Sequence, residues 1–404
     1  MPNVLGETFQ PLAEDPYPFY ARLRQEEPVT YSPELNAWLV TRYKDIQMVL
    51  AQHDKFSSRN TLDSAIMMFH PRALKEIAQG YVPSPTILNT DSLDHARLRK
   101  PLARAFAPGH IKTLEPFVRE TANRLVDAFI DQERAEIISQ FAYLLPFEVV
   151  LRFLGIPGQD LELTKTWVHD WLVMSTRPLD EAQQVAYAQS TREFQQYVVD
   201  LIAERRKAPL DDLISTMVHF QAPNWEPFDE KELVTMVQGL IFAGLGTTTD
   251  MLGNGILLLL VRPERWRTLC KHPEYIPQVV EEIVRFDGPI RLVARVTTQE
   301  VTISEVTLPK DTSLLLVFGS GNRDEEVFAD SEEFQLQRVP NRHLGFGHGV
   351  HFCAGAMLGR LEGQIALEVL SQRLPNLRLV PGQTLTHLPT LMFRGYERIE
   401  VEWS

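Results

Sequence analysis

The stretch that decides the fold reads Gly345-Phe346-Gly347-His348-Gly349-Val350-His351-Phe352-Cys353-Ala354-Gly355. Four of these eleven residues are glycines, which readily adopt the positive φ angles of a tight loop. An amphipathic pattern over Leu358–Arg373 follows directly, so we expect a helix to begin at about Ala356. Cys353 therefore precedes a helix N-terminus, where backbone N–H groups and the helix dipole stabilise a thiolate.

Three interpretations of this cysteine compete when the loop is considered alone. A thiolate shielded by backbone donors is a strong axial ligand for a haem iron. A zinc site is the second interpretation, although closed zinc sites usually show paired ligands at short regular spacings. Its candidate ligands are His343, His348, His351 and Cys353. The third interpretation is a structural cysteine that only packs within a glycine-rich loop.

A second signal lies in a long helix predicted from about Asp229 to Val261. Asp229 and Glu232 have the spacing of a capping box, and Pro263 supplies the stop. The first half is apolar on nearly every face, which predicts a helix that is buried all round. The middle reads Ala243-Gly244-Leu245-Gly246-Thr247-Thr248-Thr249. Each glycine there costs up to about 1 kcal/mol relative to alanine. Either a functional site or a close helix crossing explains such a weak centre.

A third signal is the pair Glu282 and Arg285, within a helix predicted over Gln278–Phe286. Residues three apart lie on one face of a helix and can pair there. Taken alone, such a pair is typical of a solvated surface, where it contributes well under about 1 kcal/mol.

Composition indicates an ordinary soluble globular protein. The chain has 404 residues, of which 44% are hydrophobic, and its 40 basic and 53 acidic side chains give a net charge of −13. This acidic balance argues against a dedicated nucleic-acid binder. Two cysteines, Cys270 and Cys353, exclude a disulfide framework and indicate a reducing compartment. The N-terminus lacks a signal-peptide pattern, and the longest apolar run, Ile256–Val261, is too short for a bilayer. We therefore expect a cytoplasmic protein outside membranes.

Helical periodicity dominates the rest of the chain and predicts a mostly α fold with a minor β part, in a single domain over residues 1–404. Further helices are predicted at Lys44–Ala51, Ile111–Asp131, Phe147–Leu154 and Thr191–Arg206. Short strands are predicted at Val29–Tyr31 paired with Ala37–Thr41, Val301–Ile303, Ser313–Val317 and Ile399–Trp403.

Together the three signals resemble the cytochrome P450 superfamily, the haem-thiolate monooxygenases, of the soluble bacterial type. The cysteine loop matches the family signature at Phe346, Gly347, Gly349, His351, Cys353 and Gly355. The Glu-x-x-Arg motif falls on Glu282 and Arg285, and the central-helix motif on Ala243, Gly244, Thr247 and Thr248. The resemblance runs almost end to end. It implies a single haem domain with the long central helix over the haem and no fused reductase.

The resemblance implies haem b as the cofactor, with Cys353 as the ligand of its iron. It assigns the haem propionates to His95, Arg99, Arg295 and His351, and hydrogen bonds from such cations to carboxylates are strong. The other cofactor-binding positions it implies are Ala243, Gly244, Phe346, Gly347, Gly349 and Gly355. Thr247 and Thr248 would serve oxygen activation, and Glu282 with Arg285 would lock the meander segment that follows Asn322.

One position departs from the family pattern. The family usually carries Asp or Glu immediately before Thr247, where this chain has Gly246. In the family that acid and the threonine relay protons during oxygen activation. Three alternatives remain open here: a relay through Thr248 or ordered water, partial substitution by Asp250 one turn further on, or protons supplied by the substrate.

The resemblance also implies redox partners that dock on the cysteine face. A basic cluster in this acidic chain would suit an acidic ferredoxin, reduced by a ferredoxin reductase from NAD(P)H. The cluster consists of Arg97, Arg99, Lys100 and Arg104. A solvated helix face is the alternative for those residues that the haem does not take. A monomer is the default oligomeric state.

The family's pocket-lining segments, transferred to this chain, give a mostly apolar candidate substrate site, as a small organic molecule requires. Its residues are Leu88, Leu240, Ala243, Arg291, Val293, Met392 and Phe393. Arg291 is the polar exception. It is left with three candidate roles: binding a haem propionate, meeting a substrate carboxylate, or reaching solvent.

The leading functional hypothesis is a monooxygenase that inserts one atom of O2 into an apolar or amphipathic organic substrate, using electrons from separate ferredoxin-type partners. Because of Gly246, the alternative is a peroxide-driven or otherwise atypical haem-thiolate oxidase that couples or desaturates its substrate. A non-catalytic haem sensor is the third hypothesis, and the apolar pocket argues against it.

Overall fold

The computed structural model describes residues 14–59, 61, 69–82, 84–176 and 179–403. Residues 1–13, whose composition argues against a signal peptide, lie outside the described residues. Packing divides the chain into two compact units. The first unit takes its residues from the segment up to Ser58, from Leu114–Leu145 and from Thr247 onward. The second unit consists of Arg59–Thr113 and Pro146–Gly246.

The fold is mostly α-helical, which confirms the predicted fold class. Helices of the first unit are Tyr17–Glu26, Tyr43–Ala51, Glu115–Asp127, Pro263–Lys271, Ile276–Asp287, Phe318–Gly321 and Ala356–Arg373, with a π-helical turn at Ile138–Ala142. Helices of the second unit are Pro71–Ile77, Ser92–Ala105, Pro108–Thr113, Leu161–Thr176, Glu181–Lys207 and Leu213–Val218. Two further helices, Leu144–Leu154 and Glu230–Leu260, contribute residues to both units.

Among the described helices, none by itself has the length and apolar character to cross a membrane. The pair Glu230–Leu260 and Pro263–Lys271 passes that test only jointly, across a bend of 103°.

The predicted helix Ile111–Asp131 is wrong. The structure has two helices there, Pro108–Thr113 and Glu115–Asp127, followed by a 3-10 turn at Ile130–Gln132. Pro116 explains the break, because proline has no N–H to donate to the carbonyl four residues earlier and its ring clashes with that carbonyl. The central helix, predicted from about Asp229 to Val261, is one residue shorter at each end, and the remaining predicted helices lie within observed helices.

The β part belongs to the first unit. Its five-stranded sheet has the order Val29–Ser32, Ala37–Val40, Ser313–Leu316, Val293–Thr297 and Phe56–Ser57. The second and third of these strands are parallel, and the other neighbours are antiparallel. A three-stranded sheet joins Arg134–Glu136, Glu400–Glu402 and Arg378–Leu379, and a hairpin joins Val301–Ile303 to Val306–Leu308. The five-stranded sheet places Arg295 opposite Leu314.

The central helix, Glu230–Leu260, begins as the sequence predicts. The N–H of Asp229 donates to the Glu232 carboxylate at 2.9 Å, and the N–H of Glu232 donates to the Asp229 carboxylate at 2.7 Å. This is a capping box. The helix has 31 residues and is therefore about 45 Å long. Its first half is buried on several faces, with Leu233 and Val234 almost fully enclosed.

The two glycines in the middle of the central helix serve different purposes. A Cβ on Gly244 would lie 3.3 Å from Cγ2 of Val150, so Gly244 permits close helix packing. A Cβ on Gly246 would meet nothing within 4 Å. Packing therefore explains Gly244 and leaves Gly246 without a structural reason.

Glu282 and Arg285 form the centre of a buried network, at 0% and 1% exposure. The Arg285 guanidinium donates to both carboxylate oxygens of Glu282, at 2.7 and 2.8 Å. Glu282 also accepts hydrogen bonds from Arg338 at 3.0 and 3.1 Å and from Asn341 at 3.1 Å. The interpretation of a solvated surface pair is wrong.

The same arginine reaches the segment that follows in the chain. Its remaining hydrogen bonds go to the backbone carbonyls of Asn322, Ser331 and Glu333. Asn322 in turn accepts a hydrogen bond at its side-chain oxygen from the N–H of Leu344, at 2.6 Å. The ion pair thus holds the meander segment and the start of the cysteine loop together.

We expect Glu282→Gln to destabilise the protein by about 3–5 kcal/mol, because Arg285 and Arg338 would keep buried charges without their carboxylate. Urea unfolding followed by circular dichroism measures the loss. The matched control is Glu326→Gln, whose ion pair with Lys44 lies on the surface with side chains 62% and 61% exposed. That control should lose less than about 1 kcal/mol. Equal losses in the two variants would refute the stabilising role of the buried network.

Candidate functional site

The cysteine loop, residues 345–355, is closed on itself by backbone hydrogen bonds. The N–H of Cys353 donates to the carbonyl of Phe346 at 2.8 Å, and the N–H of Gly347 donates to that of Leu344 at 2.7 Å. Gly347 and Gly349 have φ angles of +72° and +70°. Residues with a side chain rarely adopt positive φ angles, which explains why both positions are glycine. These hydrogen bonds and φ angles therefore fix the backbone conformation of the loop.

Cys353 lies immediately before the cysteine helix, which we define as Ala356–Arg373. Gly355 is the N-cap residue of this helix, and Cys353 is exposed on the loop. The position of Cys353 just before a helix N-terminus is the one that the sequence predicts.

Two glycines of the loop are required by close approach to helices. A Cβ on Gly349 would lie 2.6 Å from the carbonyl oxygen of Leu50, at the end of the helix Tyr43–Ala51. A Cβ on Gly345 would lie 2.3 Å from Cγ1 of Val284, in the helix Ile276–Asp287. The position of the cysteine loop is therefore fixed by two helices of the first unit.

The zinc interpretation is not supported. His343 Nε2 lies 3.0 Å from the carboxylate of Glu281, which also accepts hydrogen bonds from Arg360 at 2.6 and 2.9 Å. Burial alone would raise the pKa of Glu281, but the hydrogen bonds from Arg360 and His343 and their charges lower that pKa to about 2. Within the described ranges, no three His, Cys, Asp or Glu side chains are grouped to hold a metal ion. His343 belongs instead to a charged cluster that also fixes Phe346, since the Arg360 guanidinium lies 4.4 Å from that ring.

The side chains assigned to the haem propionates occupy defined positions in each unit. In the first unit, His351 Nε2 lies 3.1 Å from the hydroxyl of the buried Ser58, and Arg295 is 7% exposed in the strand Val293–Thr297. In the second unit, His95 and Arg99 lie on the helix Ser92–Ala105, where His95 is 6% exposed. Ser58 is a partner that sequence reasoning missed, because no motif links residues so far apart.

The threonines of the central-helix motif are partly enclosed, and Thr248 is 6% exposed. Asp250, the predicted partial substitute for the acid that Gly246 lacks, is 8% exposed. Its carboxylate lies against Gly395, where an added Cβ would come within 2.0 Å of Oδ1. The role of Asp250 in proton supply stays a prediction.

A small cleft in the second unit brings three of the candidate substrate residues together, Leu88, Leu240 and Ala243. The rest of its lining is Thr86, Ile87, Leu102, Met236 and Gly239. Thr86 uses its hydroxyl within its own turn, donating to Asn89 at 3.1 Å. The cleft therefore offers almost only hydrocarbon surface.

The other four candidate substrate residues lie in the first unit, where Arg291 contacts Met392 and Phe393. The N–H of Arg291 donates to the carbonyl of Met392 at 2.8 Å, and its Nε donates to that of Phe393 at 3.0 Å. Arg291 also donates to the carbonyl of Thr390 and is 3% exposed, so the solvent role is wrong. Val293 begins the adjoining strand. Arg291 thus fixes the late turn that carries Met392 and Phe393, a role that sequence reasoning missed.

Arg97 does not belong to an open basic cluster. Its guanidinium makes a two-pronged ion pair with Glu232, at 2.6 and 2.9 Å, and lies 4.6 Å from the ring of Phe228. Lys100 and Arg104 remain exposed on the same helix. The predicted cationic face is therefore smaller than the sequence indicates.

Comparison with known proteins agrees with this geometry. The sequence model of the family described as Cytochrome P450 matches residues 266–383. Mycinamicin IV hydroxylase/epoxidase of Micromonospora griseorubida is 36% identical to this chain, over 95% of this chain and 94% of that protein. The chain belongs to the cytochrome P450 family. This P450 is also 33% identical to the polyketide biosynthesis cytochrome P450 PksS of Bacillus subtilis, over 96% of each chain. The solved structure of cytochrome P450 CREJ in complex with (4-ethylphenyl) dihydrogen phosphate matches with a TM-score of 0.89, at 30% identity, over 97% of this chain and 98% of that one.

The P450 is a monooxygenase, an oxidoreductase whose cofactor is haem b bound through a cysteine thiolate. The residues present fit that group. Cys353 would supply a soft sulfur ligand from a loop that backbone hydrogen bonds close. Arg and His side chains supply donors for two carboxylates. The assignment of each of these side chains to a part of the haem stays a prediction.

We expect Gly349→Ala to lower the haem content several-fold, because the new Cβ would meet the Leu50 carbonyl at a positive φ, which costs about 1–3 kcal/mol. The ratio of haem absorbance to protein absorbance in the purified protein measures this. Gly359→Ala is the matched control, since a Cβ there would meet nothing within 4 Å in the cysteine helix. The control should keep full haem content, and full haem content in the Gly349 variant would contradict the packing argument.

Proposed function

We propose that this P450 inserts one oxygen atom from O2 into an apolar or amphipathic small organic substrate. In this proposal it acts as a single haem domain that receives electrons from NAD(P)H through separate ferredoxin-type partners. The observation that carries the proposal is the structure of the cysteine loop. Its backbone hydrogen bonds place Cys353 next to a helix N-terminus. A thiolate donates electron density to the iron and favours O–O cleavage.

Four features of the chain support an oxygen-inserting site. When bound, haem supplies the activation of O2 and the transfer of one of its atoms. Cys353 would hold the iron, and the ring of Phe346, fixed by Arg360, would limit the access of water to the sulfur. The hydroxyls of Thr247 and Thr248 would hold and pass protons. The apolar lining of the cleft would exclude water from the substrate.

The substrate class is supported by the cleft and by the relatives. A lining of hydrocarbon with no free polar side chain favours burial of an apolar part of a small molecule. One relative is named for the hydroxylation and epoxidation of mycinamicin IV, and another for polyketide biosynthesis. Both names support an organic substrate.

The distribution of charged side chains supports a ferredoxin as the electron donor. Lys100 and Arg104 are exposed on the helix Ser92–Ala105 in a chain with a net charge of −13. A local cationic face on an acidic protein favours an acidic partner and makes the association sensitive to salt. A ferredoxin has that chemistry.

A second candidate, a peroxide-driven oxidase, is favoured by one observation. Gly246 stands where the family carries an acid, and the packing gives no reason for it. An enzyme that receives hydrogen peroxide needs no electron partner. Product formation with hydrogen peroxide alone, compared with ferredoxin and reductase, separates the two candidates.

We expect Cys353→Ser to abolish the thiolate band in the difference spectrum of the reduced, carbon-monoxide-bound protein, because serine does not supply a thiolate. The matched control is Cys270→Ser, the other cysteine of the chain, on the helix Pro263–Lys271. The control should retain the band. An unchanged difference spectrum in the Cys353 variant would contradict the proposed function.

We expect Gly246→Asp to raise the fraction of NAD(P)H that ends in product, because the acid restores a proton donor beside Thr247. The side chain fits, since a Cβ at this position meets nothing within 4 Å. Product formed per NAD(P)H consumed is the measurement. Unchanged coupling would mean that proton supply does not limit the wild-type protein.

A further inference from the structure

A buried ion pair in the first unit has no part in the proposed function. It joins Asp287, the last residue of the helix Ile276–Asp287, to Arg394, which follows Phe393 in the chain. The two side chains are 7% and 6% exposed, and the Asp287 carboxylate also accepts a hydrogen bond from the hydroxyl of Tyr17. Burial alone would raise the pKa of Asp287, but the charge of Arg394 and the hydrogen bond from Tyr17 hold that pKa below its usual value. Both members of the pair therefore stay charged at neutral pH.

Stability alone does not explain this pair. The removal of two charges from water offsets most of the attraction between them, and apolar residues of similar volume are often at least as stabilising in such a place. The best-attested use of buried charged groups is to select one geometry among several. The backbone next to Arg394 is the late turn, residues 388–395, and its geometry is the one that this pair can select.

The late turn is held by side chains that come from other elements. Nε of Arg291 donates to the carbonyl of Phe393 at 3.0 Å. Asn254 of the central helix is fully buried, and its side-chain amide donates to the carbonyl of Arg394 at 2.9 Å. The position of the turn therefore depends on groups that lie far from it in the chain.

Asp287 connects these anchors to one another. The Asn254 amide that binds the turn also donates to the backbone carbonyl of Asp287, at 2.8 Å. The Asp287 carboxylate accepts a hydrogen bond from Nε of Arg394, whose N–H donates to the carbonyl of Pro289 at 2.9 Å. Arg394 is thus bound through its backbone and through its side chain to the segment 287–289. Without the Asp287 charge, the guanidinium would lose its buried carboxylate, and the turn would lose that anchor.

The late turn carries three consecutive apolar side chains directly before Arg394. Leu391, Met392 and Phe393 are each half-buried. Met392 and Phe393 are also candidate substrate residues. Because apolar contacts have no directionality, such a surface selects among organic molecules by its position and its shape. A turn with one fixed position is therefore more selective than a turn with several.

We propose that Asp287 is a positioning residue for substrate selection. Its carboxylate holds Arg394 and thereby fixes Leu391, Met392 and Phe393 as one defined apolar surface for a rigid hydrocarbon part of the substrate. This inference rests on the proposed function, because it concerns how the same enzyme orients the organic molecule that it oxidises. Without the ion pair the turn would take several positions, and the substrate several orientations.

The first experiment measures ligand selection without turnover. Imidazole and 4-phenylimidazole both bind a haem iron through a ring nitrogen, and only the second adds an apolar ring. In the wild-type holoenzyme 4-phenylimidazole should bind more tightly than imidazole, as measured by titration of the haem absorption band. Asp287→Asn should reduce this preference by roughly tenfold, since one lost apolar contact changes selectivity by about 10–200-fold. The Kd of imidazole should stay the same.

Asp212→Asn is the matched control for the loss of a buried carboxylate. Asp212 pairs with Arg205 at 2.7 Å, and both side chains are 6% exposed. The control should lose similar stability in urea unfolding and keep the wild-type azole preference. A second variant, Asp287→Asn with Arg394→Met, carries neither charge of the ion pair, so it should fold even where Asp287→Asn does not. Its azole preference should fall by the same roughly tenfold.

The second experiment follows the turn itself. Hydrogen–deuterium exchange of the holoenzyme, measured by mass spectrometry on peptides that cover residues 388–395, reports how often the turn opens. Exchange in these peptides should be at least about tenfold faster in Asp287→Asn than in the wild type. In Asp212→Asn it should match the wild type.

The outcomes separate this inference from the proposed function. The inference is overturned by an azole preference that is the same in the wild type and in both Asp287 variants, or by unchanged exchange in the turn. A wild type without any preference for the phenyl ring also overturns it, because the turn would then offer no apolar surface to a ligand. A protein that shows the expected azole preference but forms no product with any electron source overturns the proposed function, while Asp287 would still be shown to position the turn.

Discussion

The site depends on one buried carboxylate, that of Glu282. It neutralises Arg285 and Arg338 in an environment where an unpaired charge would cost several kcal/mol. From Arg285 a series of hydrogen bonds runs through Asn322 and Leu344 to Gly347 in the cysteine loop. Each member is fixed by the one before it. The geometry of the cysteine loop therefore depends on an ion pair that lies outside the loop.

The sequence predicts those parts of the fold that depend on local chemistry. The capping box at Asp229, the glycines of the cysteine loop and the pairing of Glu282 with Arg285 follow from spacings of a few residues, and the structure has all three. The helix predicted over Ile111–Asp131 is wrong for an equally local reason, because Pro116 stands inside its periodic pattern. The break thus lies next to that proline.

What the sequence does not predict are those partners of its charged residues that lie far away in the chain. Arg97 belongs by pattern to a basic helix face, yet it pairs with Glu232, 135 positions away. Arg291 belongs by pattern to a substrate site, yet it binds backbone carbonyls of the late turn. A guanidinium has five donors and accepts carboxylates and carbonyls alike, so its identity leaves its partner open. The residue type shows that a positive charge is present, and only the fold determines which groups accept its hydrogen bonds.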